Sequence, residues 1–134
     1  MLAHLLSTFP SFAAFLAMAG AVLSIFLAIY LAVTPYREIE LIRQGNVAAA
    51  VSLSGALLGF ALPLANAIRN SRNLGELLVW SVVACLVQLL AYLASRLALP
   101  HLARDIPDGK VAPAILMAAI ALAVGLLNAA CLES

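Results

Sequence analysis

The sequence predicts an all-α integral membrane protein whose four transmembrane helices form two tandem two-helix repeats. Hydrophobic residues make up 66% of the 134 residues and charged residues only 10%, and the mean hydropathy is +1.13. A soluble domain carries about 25% charged residues, and a soluble bundle needs a polar face on every helix. The charged side chains here fall between four long apolar stretches or at the C-terminal end. This composition therefore excludes a soluble protein.

Each apolar stretch is long enough to cross a bilayer, which takes about 20 helical residues. We predict the spans at residues 11–33, 47–68, 77–99 and 111–132 of a single domain covering 1–134. Arg96 is the only charged residue within these spans, and its long side chain can reach the headgroups from the end of its span. Spanning strands are disfavoured, because they alternate apolar and polar residues and these stretches do not.

Lysine and arginine residues are divided unevenly between the two sides of the membrane. The 34–46 and 100–110 loops, together with Arg96, carry five, whereas the other side carries Arg69 and Arg72. Short cytoplasmic loops are enriched in these residues. The bias predicts that the first two loops are cytoplasmic and that both termini lie outside.

The two halves of the chain, about 11–68 and 77–132, resemble each other. Each half is a helix that ends at a proline, a turn that contains a glycine, and a second helix. At shifts of 65 and 64 residues, the matched pairs are Pro35 with Pro100 and Gly45 with Gly109. Because two spans return the chain to its starting side, we predict a parallel pseudo-twofold along the membrane normal. Chance similarity between helices rich in alanine and leucine is the alternative.

Small and polar residues form a stripe along each span. Spanning helices associate through close backbone approach and interhelical hydrogen bonds, since lipid tails solvate leucine as well as another helix does. The stripes face either the bundle axis or a partner subunit, so we expect a homo-oligomer; a path for water or an ion is the alternative. The predicted helix-packing residues, which include a GxxxG motif, are Gly20, Ser24, Ser52, Gly55, Gly59, Pro63 and Gly125.

Three uncharged amide side chains fall within the spans, at Asn66, Gln88 and Asn128. Intramembrane amides usually form hydrogen bonds to other helices, which favours a structural role over ligand binding. The spans contain no Asp, Glu or His, the residues that proton and cation transporters usually require. A neutral pore lined by amides, hydroxyls and carbonyls is the alternative.

The loops contain no arrangement of residues typical of catalysis. No nucleophile beside a base, no phosphate-binding loop and no pair of acids is recognisable, so we predict that the chain is not an enzyme. We expect no cofactor or metal, because His4 and His101 lie on opposite sides of the bilayer. A net charge of +1 excludes electrostatic nucleic-acid binding. We interpret the charged residues of the first loop as solvated and mutually paired: Arg37, Glu38, Glu40 and Arg43.

Two segments carry a resemblance to a known family. Residues 52–64, SLSGALLGFALPL, and residues 125–131, GLLNAAC, resemble the bacterial YjfL-type membrane proteins, domain-of-unknown-function family 350. The resemblance runs from about residue 12 to residue 131. It implies an inner-membrane protein with two copies of a two-helix unit, encoded beside polyamine-synthesis-type enzymes or envelope-stress proteins. It implies no catalytic residues.

These observations predict a small structural or adaptor protein of the bacterial inner membrane. The cytoplasmic turns mix positive and negative side chains, an arrangement that suits docking of a peripheral cytoplasmic protein. An ion funnel would need charges of one sign. Glu40 and Asp105 are the predicted docking residues. The alternative function is an oligomeric channel or transporter with a neutral polar pore.

Overall fold

The computed structural model describes residues 2–133, and side chains over residues 2–132; the two end residues of the predicted domain lie outside this range. Within it, the regular structure is helical throughout. The helices in chain order are α1 (Leu2–Val33), α2 (Glu38–Arg43), α3 (Val47–Asn70), α4 (Leu74–Ala98), α5 (Leu102–Asp105) and α6 (Val111–Glu133). Four of them, α1, α3, α4 and α6, are long and apolar enough to cross a membrane. The predicted all-α class and the four spans are therefore confirmed.

Helix α1 starts nine residues before the predicted span, at Leu2, and it contains Pro10. The residues before Pro10 are mostly apolar, and the hydroxyl of Thr8 donates to the carbonyl oxygen of His4 within the first turns. At about 1.5 Å per residue the helix is about 48 Å long, whereas the hydrocarbon core of a bilayer is about 30 Å thick. Helix α1 must therefore tilt in the membrane or extend beyond its core.

Helix α3 is the centre of the bundle, with 12 buried residues against four in α1. It lies against α6 along most of its length, while α4 packs against both and α1 contacts α3 and α4. The side chain of Asn46 caps the start of α3 by accepting a hydrogen bond from the Ala49 amide at 3.0 Å. Asn73 caps α4 in the same way, through the Glu76 amide at 2.9 Å.

The two turns at the end of the bundle that is predicted to be cytoplasmic have the same construction. In each, a short helix, α2 or α5, is followed by a glycine in the left-handed region, with φ of 88° at Gly45 and 80° at Gly109. Other residues rarely adopt this conformation. The glycine amides donate to the carbonyl oxygens of Ile42 and Ile106, at 2.9 and 3.0 Å. The shared turn agrees with the predicted tandem repeat, which itself stays a prediction.

The orientation of the bundle is predicted by the five-to-two bias in Lys and Arg. We expect a C-terminal alkaline phosphatase fusion to be active in bacterial cells and a C-terminal GFP fusion to be dark, because the bias predicts that both termini lie outside. Enzyme activity and fluorescence at matched expression levels measure this. The opposite pair of results would place α2 and α5 on the outer side and contradict the orientation.

Candidate functional site

Three predicted packing glycines lie where α3 and α6 approach most closely. A Cβ atom added at Gly59 would lie 2.5 Å from the carbonyl oxygen of Ala121, and one added at Gly125 would lie 2.8 Å from the carbonyl carbon of Gly59. Gly55 is equally restricted, by the backbone and Cβ of Ala118. Apart from the amide nitrogen of Gln88, 2.9 Å from the Cβ added at Gly59, each obstructing group is backbone or the first side-chain atom. The two helices therefore contact each other through their backbones, with no room for larger residues.

Two other predicted packing residues, Ser52 and Pro63, are buried in α3. The Ser52 hydroxyl donates to the carbonyl oxygen of Ala49 within the same helix, at 3.0 Å. Pro63 faces the protein interior, so its ring adds to the packing of the outer half of α3.

The predicted packing residues of α1, Gly20 and Ser24, lie on its exposed face. Among the described residues, no atom outside α1 lies within 4 Å of a Cβ added at Gly20. The Ser24 hydroxyl donates to the Gly20 carbonyl oxygen of its own helix, at 2.8 Å. A different face of α1 packs against the bundle, with Phe26 and Tyr30 at its centre. These two aromatic side chains fill the space beside α3 and α4, where they contact Phe60 and Tyr92. Gly20 and Ser24 remain candidates for contact with a partner subunit.

The three intramembrane amides each donate a hydrogen bond to a backbone carbonyl oxygen of another helix. Asn66 of α3 bonds Ala129 of α6 at 2.9 Å. Gln88 of α4 bonds Ala121 of α6 at 3.2 Å. The third bond runs from Asn128 of α6 to Ala84 of α4, at 3.4 Å. This is the structural role expected for uncharged amides within spans, and it ties α6 to both of its neighbours.

The turns that follow α2 and α5 are joined by the side chain of Asn46. Its amide nitrogen donates to the carbonyl oxygens of Ile106 and Pro107, at 2.9 and 3.3 Å. The same side chain caps α3, so one residue fixes the start of α3 against the turn before α6. The charged groups of both turns are consequently held in one arrangement at this end of the bundle.

Charges of both signs lie on this end of the bundle, which the Lys and Arg bias predicts to be cytoplasmic. We call it the cytoplasmic surface; it comprises Arg37, Glu40, Arg43, Asp105 and Lys110. Arg37 lies 3.5 Å from Glu40, with 88% and 56% of their side chains exposed. Lys110 lies 3.5 Å from Asp105, whose side chain is 16% exposed. The first pair is open to water, where such pairs stabilise a fold by less than about 1 kcal/mol. In the second pair Lys110 is exposed and Asp105 is mostly covered. The two predicted docking residues thus lie at the same end of the bundle, each beside a cation.

The interpretation of Glu38 as a solvated, paired residue is wrong. Glu38 is only 1% exposed, and neither of its carboxylate oxygens has a hydrogen-bond partner among the described residues. Helix α2 folds back onto the bundle, and Leu41 and Ile42, three and four residues later, lie on the same face and pack against the core. That spacing was the signal in the sequence; the charge of Glu38 made it look like a surface residue. Burial raises the pKa of its carboxyl from 4.5 to about 8.

All three tyrosines of the chain gather around Glu38. The ring of Tyr30 meets that of Tyr92 edge-on at 5.3 Å, and Tyr36 lies two residues before the start of α2. The hydroxyls of Tyr30 and Tyr36 have no hydrogen-bond partner among the described residues. Burial, and then the charge of Glu38, raise the pKa of Tyr36. No spacing in the sequence singles out these tyrosines, because they lie on different elements.

Two cavities flank this cluster. An open groove of about 520 Å³ lies outside it, lined by residues from Leu31 to Arg43 that include Glu38. Inside the bundle is a cavity of about 10 Å³, whose polar lining comes from Tyr30, Ser52, Gln88 and Tyr92. That volume holds about one water molecule. Among the described side chains, no group of three or more His, Cys, Asp or Glu could hold a metal ion.

Comparison with known proteins gives consistent matches. The family model described as Domain of Unknown Function (DUF350) matches residues 4–132. The UPF0719 inner membrane protein YjfL of Escherichia coli (strain K12) is 36% identical over 129 residues, which is 96% of this chain and 98% of that protein. The UPF0719 transmembrane protein YshE of Bacillus subtilis (strain 168) is 31% identical over 80 residues, 60% of each chain. No solved structure matches.

Proposed function

This chain belongs to the DUF350 family, and from that premise we propose that it is a non-enzymatic adaptor of the bacterial inner membrane. Its four spans anchor the cytoplasmic surface, and a peripheral cytoplasmic protein docks there. The observation that supports this function is the link through Asn46, which holds the charges of both turns in one arrangement. A fixed pattern of mixed charges selects a partner better than it attracts ions. By family resemblance, co-encoded envelope-stress or polyamine-related proteins are the partners to test first.

We further propose that the adaptor is a homo-oligomer. Helix α1 presents a stripe of small residues to the lipid, and such stripes allow a second helix to approach closely. The exposed members of this stripe are Ala13, Ala17, Gly20, Ser24 and Ala28.

The docking proposal is tested by reversing charges on the cytoplasmic surface. We expect Glu40→Lys combined with Asp105→Lys to reduce recruitment of the partner about tenfold or more, because like charges then face each other in the complex. Co-purification of a co-encoded cytoplasmic protein from membranes measures recruitment. The matched control is Arg69→Glu with Arg72→Glu, a double reversal at two exposed positions on the other side of the bundle. Equal recruitment by both double variants and the parent would contradict the proposal.

The alternative, an oligomeric channel or transporter, has less support from the same contacts. The amide nitrogens that would line a neutral pore are engaged with backbone carbonyls inside a single chain. We therefore expect liposomes containing the protein to show no protein-dependent flux of potassium, protons or spermidine. A flux that disappears in Asn66→Leu or Gln88→Leu would overturn the adaptor function in favour of the pore.

A further inference from the structure

We propose that Glu38, together with the tyrosine hydroxyls around it, is a reversible proton-binding site at the cytoplasmic end of the bundle. The carboxylate is almost completely removed from water, and both of its oxygens lack a hydrogen-bond partner among the described residues. A buried polar group without a partner is rare in folded proteins, since each such group lowers stability. A proton is the ligand that satisfies a lone buried carboxylate with the smallest change in the fold.

The neighbouring cations do not neutralise Glu38. Of the ion pairs between described residues, Arg37 pairs with Glu40, Lys110 pairs with Asp105, and neither pair includes Glu38. Arg96 of α4 lies beside the Tyr92 hydroxyl. The side chain of Arg43 is exposed and lines the outer groove.

The titratable groups that face Glu38 are therefore tyrosines: Tyr30 from α1, Tyr36 from the preceding turn and Tyr92 from α4. A tyrosine is neutral below about pH 10 and provides no positive charge. An ionised Glu38 would thus be an unpaired buried charge, which is strongly unfavourable in a protein interior.

Protons can reach this carboxyl group from the cytoplasm. Glu38 lines the open groove on the solvent side of the cluster, so a small movement of α2 brings its carboxyl into contact with water. The hydroxyls of Tyr36 and Ser52 lie close together and lead from Glu38 towards the internal cavity. The site therefore combines a solvent entrance, one titratable group and hydroxyls that can donate to it or accept from it.

Proton binding is coupled to the packing of α2 against the bundle. Burial raises the pKa of the Glu38 carboxyl from 4.5 to about 8, so the folded protein holds this proton more tightly than the unfolded chain does. The contribution of Glu38 to stability is therefore greatest below pH 4.5, falls as the pH rises from about 4.5 to about 8, and is lost above that range. Loss of the proton favours release of α2, which also carries Glu40. The proton site stands whether or not a partner docks on this helix.

Infrared difference spectroscopy of the intact protein in lipid, titrated from pH 5 to pH 10, tests the site. A protonated carboxyl group has a C=O stretch that a carboxylate lacks. We expect one such band to disappear with a midpoint near pH 8, to be absent in Glu38→Gln, and to persist in the control Glu40→Gln. Thermal denaturation should show that the parent loses stability between pH 5 and pH 8, whereas Glu38→Gln does not.

A second variant keeps the test decisive if Glu38→Gln does not fold. The Tyr36 hydroxyl makes no hydrogen bond to Glu38 within normal geometry, but it lies close enough to favour the ionised carboxylate and so partly opposes the rise in the pKa of Glu38. Tyr36→Phe should therefore move the midpoint to higher pH. The infrared titration of the parent protein alone would overturn the proposed site if none of its carboxyl groups titrates above pH 7. A midpoint that shifts when potassium or sodium replaces a large organic cation at constant ionic strength would also overturn it, by indicating a metal-cation site in place of a proton site.

Discussion

Gly59→Leu is expected to separate α3 from α6 and to lower the stability of the protein in detergent. The added Cβ atom would lie 2.5 and 2.8 Å from the carbonyl oxygen and carbon of Ala121, and 2.9 Å from the amide nitrogen of Gln88. Inserting bulk into a packed interior costs about 1–3 kcal/mol, and we expect the upper end because helix backbones must move. Thermal denaturation followed by circular dichroism measures the loss.

Two substitutions serve as controls for this result. Gly20→Leu is the same change in a spanning helix, at an exposed position with open space around it, so the single chain should keep its stability. If α1 forms the oligomer contact, Gly20→Leu should also dissociate the complex in nanodiscs while the fold persists. Leu58→Ala changes the exposed side of α3, where Leu58 is 58% accessible, and should have little effect. Equal stability of Gly59→Leu and both controls would contradict backbone contact between α3 and α6.

Phe60→Ala is expected to loosen the attachment of α1. Phe60 is completely buried in α3 and stacks on Phe26 of α1, with ring centroids 4.3 Å apart and planes 14° apart. Truncating a buried phenylalanine costs about 3–5 kcal/mol in soluble proteins. We expect the lower end here, because lipid can solvate the released surface of α1.

Limited proteolysis and thermal denaturation in detergent measure this loosening. Phe12→Ala is the matched control, since Phe12 belongs to α1 but is 62% exposed. The Phe60 variant should become more sensitive to protease in α1 and melt at a lower temperature, and the Phe12 variant should not. The same stability in both variants would mean that the aromatic stack does not hold α1 in place.

The sequence predicted those features that depend on composition and local spacing. Four apolar stretches separated by charges identify the spans, and glycines four residues apart, Gly55 and Gly59, identify a face that another helix can approach closely. The partner of that face was not predictable, because the atoms that meet it belong to the backbone of Ala121 and have no side-chain signature. The hydrogen-bond acceptor of Gln88 was not predictable for the same reason, since it is the backbone carbonyl oxygen of Ala121.

The sequence left one orientation open and gave a wrong signal at another position. The small-residue stripe of α1 was compatible with the bundle axis or a partner subunit, and it is the aromatic residues Phe26 and Tyr30 that pack inside the chain. The charge of Glu38 suggested exposure, although Leu41 and Ile42 bring its face of α2 onto the core. In both cases the outcome depends on how much space the neighbouring helices leave, which is a tertiary property.

The three amide hydrogen bonds determine which parts of the protein can move. A slide of α6 by one turn, about 5.4 Å, would carry the carbonyl oxygens of Ala121 and Ala129 away from their donors at the same time. It would also withdraw Asn128 from Ala84. Shear between α3, α4 and α6 therefore requires breaking three bonds together, and these helices behave as one rigid body. We therefore expect slow conformational exchange to be concentrated in α1 and α2. Relaxation and hydrogen-exchange measurements should show more exchange before Gly45 than in α3, α4 and α6.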